Sequence, residues 1–148
     1  MALRRRSVAL ATLLILSACA RATHAPTLAA DPVAQATLAQ IYFWRARPGQ
    51  LDAYTRYVRE VAEPIDREAQ RRGAFLSVAT YLANDSTLPW THMRVFLLRD
   101  SAQLAGLSAA LSAAGERLQP DSVKRREQSA YSATLRDRVG GTVARLVH

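Results

Sequence analysis

The sequence predicts an α+β fold in which helices cover one face of a four-stranded antiparallel sheet. Three observations predict it. Four runs at 40–47, 74–82, 91–98 and 142–147 are rich in aromatic, aliphatic or β-branched residues and are set off by turn residues. Segments of helical character lie between them, at 50–72, 101–118 and 122–138. The second and third runs are separated only by a turn-forming loop, so they pair as an antiparallel hairpin.

Taken in order, the chain opens with Arg4-Arg5-Arg6 and a mostly apolar run from Val8 to Leu16, the layout of a secretory signal. A bilayer-spanning helix needs about 20 apolar residues, and this run stops well short of that. Leu16-Ser17-Ala18-Cys19 has an apolar residue, two small ones and a cysteine, and it resembles the bacterial lipobox, whose cysteine sulfur receives diacylglycerol. The only cysteine of the chain sits at the one position this processing requires. Ala18-Cys19-Ala20 also satisfies the small-x-small rule of ordinary signal peptidase, which would release a soluble chain beginning at Arg21. The expected organisation is a signal peptide over 1–18, a tether over 19–37 carrying lipid on Cys19, and one domain over 38–148. Lipidation implies a membrane anchor in the cell envelope. In a diderm it implies the periplasmic side of the outer membrane, because Ala20 and Arg21 lack the aspartate associated with inner-membrane retention.

Loss of the leader removes Arg4, Arg5 and Arg6 and leaves a formal charge of +5, against +8 for the whole chain. An exported basic protein meets anionic head groups or wall polymers, not nucleic acid. A merely solvated surface explains the charge equally well: arginines greatly outnumber the single lysine, Lys124, in an alanine-rich chain, as genome composition would produce.

Residues 20–37, with Pro26, Pro32 and many Ala and Thr, have no apolar period and read as tether. Gln40 to Arg47 reads as the first strand, ended by Pro48-Gly49. From Gln50 to Arg72, Leu51, Tyr54, Val58, Val61, Ala62, Ile65 and Ala69 mark an amphipathic helix. Pro64 should kink or restart it, since its ring removes a helical hydrogen bond, and Gly73 should stop it. Ala74 to Leu82 and Thr91 to Leu98 form the hairpin, with Asn84-Asp85-Ser86 at a turn. Asp100 or Ser101 caps a helix with Leu104, Leu107, Leu111, Ala114 and Leu118 on one face, interrupted at Gln119-Pro120. Asp121 or Ser122 caps a third helix running to Arg138 and ended by Gly140-Gly141, with Lys124 to Glu127 facing solvent. Thr142 to Val147 is the last strand.

This order, βαββ(α)αβ, is the ferredoxin-like arrangement. Its sheet is apolar on both sides. Strand two carries Leu76, Val78 and Leu82 in one row and Phe75, Ala79 and Tyr81 in the other, and strand three sets Met93, Val95 and Leu97 against Phe96 and Leu98. A sheet with one wet face should alternate, so a second layer is expected over the far face. The aromatic strand and Pro-Gly turn over Tyr42 to Gln50, together with Arg94 to Ser101 running into Ala102-Gln103-Leu104, resemble the dimeric α/β barrel superfamily, and within it the NIPSNAP-like proteins, across most of residues 40–115. The resemblance implies a homodimer packed sheet to sheet, and a ligand cleft between helix and sheet. The segment from Asp121 to Arg138 is less typical.

Several chemistries are absent from the sequence. There is no G-x-G-x-x-G, P-loop or G-x-S-x-G, and His24, His92 and His148 lie too far apart for a metal site. No metal or cofactor is expected. The superfamily includes cofactor-independent monooxygenases of aromatic substrates and haem-degrading enzymes, but Asn84, Trp90 and His92 are crowded into one hairpin and do not match the haem-degrading triad. Two readings of His92 stand: a general acid or base acting with Arg94, or a histidine hydrogen-bonded at the sheet rim. Trp44, Tyr54, Tyr57 and Tyr81 are candidates either to line a small-molecule cleft or to fill core. The expected function is an anchored protein binding a small apolar or aromatic ligand, the alternative a monooxygenase-like enzyme.

Overall fold

The structure, a computed structural model, describes residues 31–147. The signal peptide, Cys19, His24 and His148 lie outside the described residues. The elements are α1 (Pro32–Gln35), β1 (Leu38–Ala46), α2 (Leu51–Tyr57), a π turn (Val58–Ala62), α3 (Glu63–Arg71), β2 (Ser77–Leu82), β3 (His92–Leu98), α4 (Ser101–Leu118), α5 (Ser122–Leu135) and β4 (Arg136–Arg145). They form the expected ferredoxin-like α+β fold: a four-stranded antiparallel sheet in the order β2-β3-β1-β4, with helices on one face.

Alternation along each strand decides which residues meet the helices. Tyr42 of β1 pairs with Arg94 of β3, and Trp44 with His92, so these four share the helix side with Phe96 and Leu98. Phe96, Leu98 and Phe75 pack against Ala69 of α3 and Leu107 and Ala114 of α4 in the main core. A second core joins Tyr54 and Val58 to Leu135, with Trp44 and Tyr57 against it. Fully burying aliphatic or aromatic side chains such as these stabilises by about 1.5–3 kcal/mol each, and they fix the helices over the sheet.

The far face presents Ile41, Phe43, Met93, Val95 and Leu97 from the two central strands, and none of them belongs to either core. Trp90 lies 5.9 Å from Phe43 and extends this apolar face beyond the strands. The two-sided apolar pattern is therefore real, with one exception. Phe75 precedes the start of β2 and turns into the main core, whereas Ala79 and Tyr81 remain on the far side.

Caps settle the helix starts. Asp100, not Ser101, caps α4 through Gln103 N at 2.9 Å, and Gln103 also ties the helix to the Gly73 carbonyl at 2.8 Å. Asp121 caps α5 in the same way.

Two expectations need correction, and one is met in an unexpected form. The tether does not reach residue 37: Asp31 caps α1, Ala36 is buried, and Thr37 is hydrogen-bonded to the backbone of both Leu98 and Leu146. Pro64 stands where the helix restarts, in the first turn of α3. The chain stays helical through the π turn, whose wider winding accommodates a proline at the start of α3. The third helix ends at Leu135, and Gly140-Gly141 lie inside β4 instead of stopping a helix. They flank a register shift between Phe43 and Trp44, where a Cβ on Gly141 would come within 3.1 Å of the Ile41 carbonyl. A close approach at a bulge requires glycine there.

Candidate functional site

A cavity of about 880 Å³ opens between the helices and the helix-facing side of the sheet. Its floor is Trp44 of β1, Arg94 of β3 and Arg136 at the start of β4; Tyr57, Val61 and Asp66 wall one side. Leu111 and Gly115 of α4 and Ser132 of α5 close the other side. The size suits a small organic ligand.

Arg94 donates from Nη2 to Oδ2 of Asp66, whose side chain is only 3% exposed. The pair joins the sheet to α3. Arg94 Nε is buried without a hydrogen-bond partner among the described residues. Burial is the main influence lowering the Arg94 guanidinium from its usual value, and the like charge of Arg136 acts in the same direction. Arg136 lies over Trp44, its guanidinium carbon 3.5 Å from the ring centroid, and its Nε donates to Ser132 Oγ at 3.1 Å. Arg138 lies 4.8 Å from the centre of the Tyr42 ring.

The candidates separate. Trp44, Tyr57 and Arg94 line the cavity. Tyr54 sits beneath it as core, 2% exposed, where burial pushes its phenol up to about 12. Tyr81 is not part of the site. Its partner in the register is Met93, which places it on the far face, half exposed.

His92 is brought into the same region as Arg94 but is closed off. It is 1% exposed, its Nε2 lies 3.1 Å from Thr55 Oγ1, its Nδ1 lies 3.0 Å from Thr91 Oγ1, and Tyr54 packs against the ring. This is a satisfied buried histidine. Burial lowers its pKa from 6.5 to about 4. A group depressed in this way is neutral in the folded chain, while the unfolded chain takes up a proton below about 6.5. Stability is therefore expected to fall as pH drops from about 6.5 towards 4, by about 3 kcal/mol in all, and then to level off for this group. Urea denaturation across that range should show the loss in the wild type and its absence in His92→Leu; equal pH slopes in the two would refute the assignment.

Two site residues escape a reading of the sequence. Arg136 falls inside the expected third helix, because nothing in its neighbourhood marks the switch to strand at that point. Asp66 reads as one more charge on a helix surface. The one signal for it is the proline two residues before, which marks where the helix changes its winding.

No protein-family model matches the chain. No curated protein matches it. Among solved structures, the chain is similar to HapK from Hahella chejuensis, with a TM-score of 0.52 and 13% identity over 74% of this chain and 92% of that one. A second match is PA3566 from Pseudomonas aeruginosa, with a TM-score of 0.43 and 20% identity over 76% and 94% of the two chains. The likeness to HapK is one of fold alone, the α+β arrangement of helices on a four-stranded antiparallel sheet.

Proposed function

We propose that this chain is a small-molecule-binding protein, a homodimer closed through its apolar sheet faces and held at the envelope membrane by lipid on Cys19. One observation carries the binding assignment: the cavity between helices and sheet is lined by Trp44, Tyr57 and arginines, while the nearby histidine is sealed below it. A lining of this kind holds an aromatic or apolar body. Neither the paired Arg94 nor the buried His92 is placed to move a proton to and from a bound substrate. Within the fold, the likeness to NIPSNAP-like proteins rests on the sequence pattern alone. The uncovered Ile41, Phe43, Met93, Val95 and Leu97 support the dimer, because a contiguous apolar sheet face is otherwise an aggregation hazard.

Native mass spectrometry of the full-length protein extracted from membranes tests the proposal. The expected species is a dimer with an acylated Cys19 on each chain and a retained small molecule. A chain beginning unmodified at Arg21 would overturn the anchor. Turnover of hydroxylated aromatics, abolished by His92→Ala, would overturn binding without catalysis.

A further inference from the structure

The charge of the cavity narrows the ligand further, on the reading that it is a ligand site. We propose that the bound molecule carries a carboxylate on its aromatic or apolar body, and that Arg136, with Arg94 behind it, receives that acid group. The register of the sheet gathers three cations on the helix side. Arg94 lies beside Tyr42, and Arg138 and Arg136 pair with Trp44 and Ala46. Asp66 is the one carboxylate paired with any of them among the described residues. Asp137, next to Arg136 in sequence, also lines the cavity, but its carboxylate is already held by Arg47 at 2.9 Å. Glu60 and Glu116 also line the cavity, but both are exposed and neither is paired with these arginines.

Arg136 is therefore fixed but not neutralised. Stacking on Trp44 sets the plane of its guanidinium, and Ser132 takes its Nε, so its terminal nitrogens remain to donate. A planar fork of donors held in one orientation matches a carboxylate in two parallel hydrogen bonds. Two like charges, Arg94 and Arg136, also act on one another, and the negative charge of Glu63 offsets this at Arg94, while no carboxylate is paired with Arg136 among the described residues. An acid group between them relieves that repulsion. Asp66 already occupies one edge of Arg94, which leaves room for a singly charged acid better than for a phosphate. The stacked Trp44 and the Tyr57 ring then lie where the apolar body would rest.

Calorimetric titration of the full-length protein in detergent with 2-naphthoate and with 2-naphthamide tests this, since the two share a ring system and differ in charge. Naphthoate is expected to bind at least about tenfold more tightly at low salt, with the advantage shrinking as salt is added. In Arg136→Gln the advantage should fall below about twofold, and in Arg136→Lys, which keeps the charge but not the fork, it should be intermediate. If Arg136→Gln fails to fold, the lysine variant and the salt dependence of the wild type decide. Equal affinity for the two compounds, or an advantage that survives in Arg136→Gln, overturns the acid preference and leaves the cavity as a neutral ligand site. No binding of either compound, together with no molecule retained on native purification, overturns both.

Discussion

Arg94→Met is expected to destabilise the domain by about 3–5 kcal/mol, a large share of the stability of a chain this size. The methionine fills most of the volume but leaves the Asp66 carboxylate, 2% exposed, without its partner. An uncompensated buried charge is among the costliest defects a fold can carry. Arg94→Met combined with Asp66→Leu removes both charges, and most of the loss should return, because an apolar pair of similar size is about as stable as a buried ion pair. Chemical denaturation of the two single variants and the double variant gives the coupling. Additive losses would show that the two side chains do not depend on each other.

The second large effect concerns association. Val95 lies at the middle of the far face, paired with Ile41 on one side and Ala79 on the other. In a two-fold dimer closed through this face, Val95→Arg places an unpaired charge at the seam twice. At a cost of about 4 kcal/mol or more, the dissociation constant should rise at least about a thousandfold. Light scattering should then report a monomer with unchanged helix content by circular dichroism. A wild-type protein that is monomeric at the same concentration would refute sheet-to-sheet closure outright.

The first three strands, the first two long helices and the apolar far face are legible in the sequence because each rests on local pattern, whereas the last strand begins at Arg136, six residues before the expected Thr142. Alternation places Met93, Val95 and Leu97 opposite Phe96 and Leu98, and the structure keeps that division. The site is legible in part. Trp44, Tyr57 and Arg94 stand out by residue type and strand position, and all three line the cavity. Tyr81 is misplaced because a strand presents side chains alternately to opposite faces, and residue type alone does not say which face a given aromatic takes. Arg136 is hidden for a different reason. The chain passes from α5 to β4 with no loop between them, so the glycines that resemble a helix stop lie four and five residues beyond the first residue of the strand. What favours glycine at 141 is the close approach of the Ile41 carbonyl on the neighbouring strand, which no local pattern encodes.

The π turn between α2 and α3 also sets the rotational phase of α3. An α-helix advances by roughly 100° per residue, so eight residues from Val58 to Asp66 would leave the two side chains roughly 80° apart around the axis. The extra residue absorbed in the wide turn brings Asp66 back into line with Tyr54 and Val58, on the side that meets the sheet. Winding Val58–Ala62 as an ordinary α-helix with no residue removed would preserve the helix and its apolar composition yet swing the carboxylate roughly 80° away from Arg94. The alignment of the aromatic half of this helix with its acidic half is thus itself a specification, written in the winding of one turn and not in any single side chain.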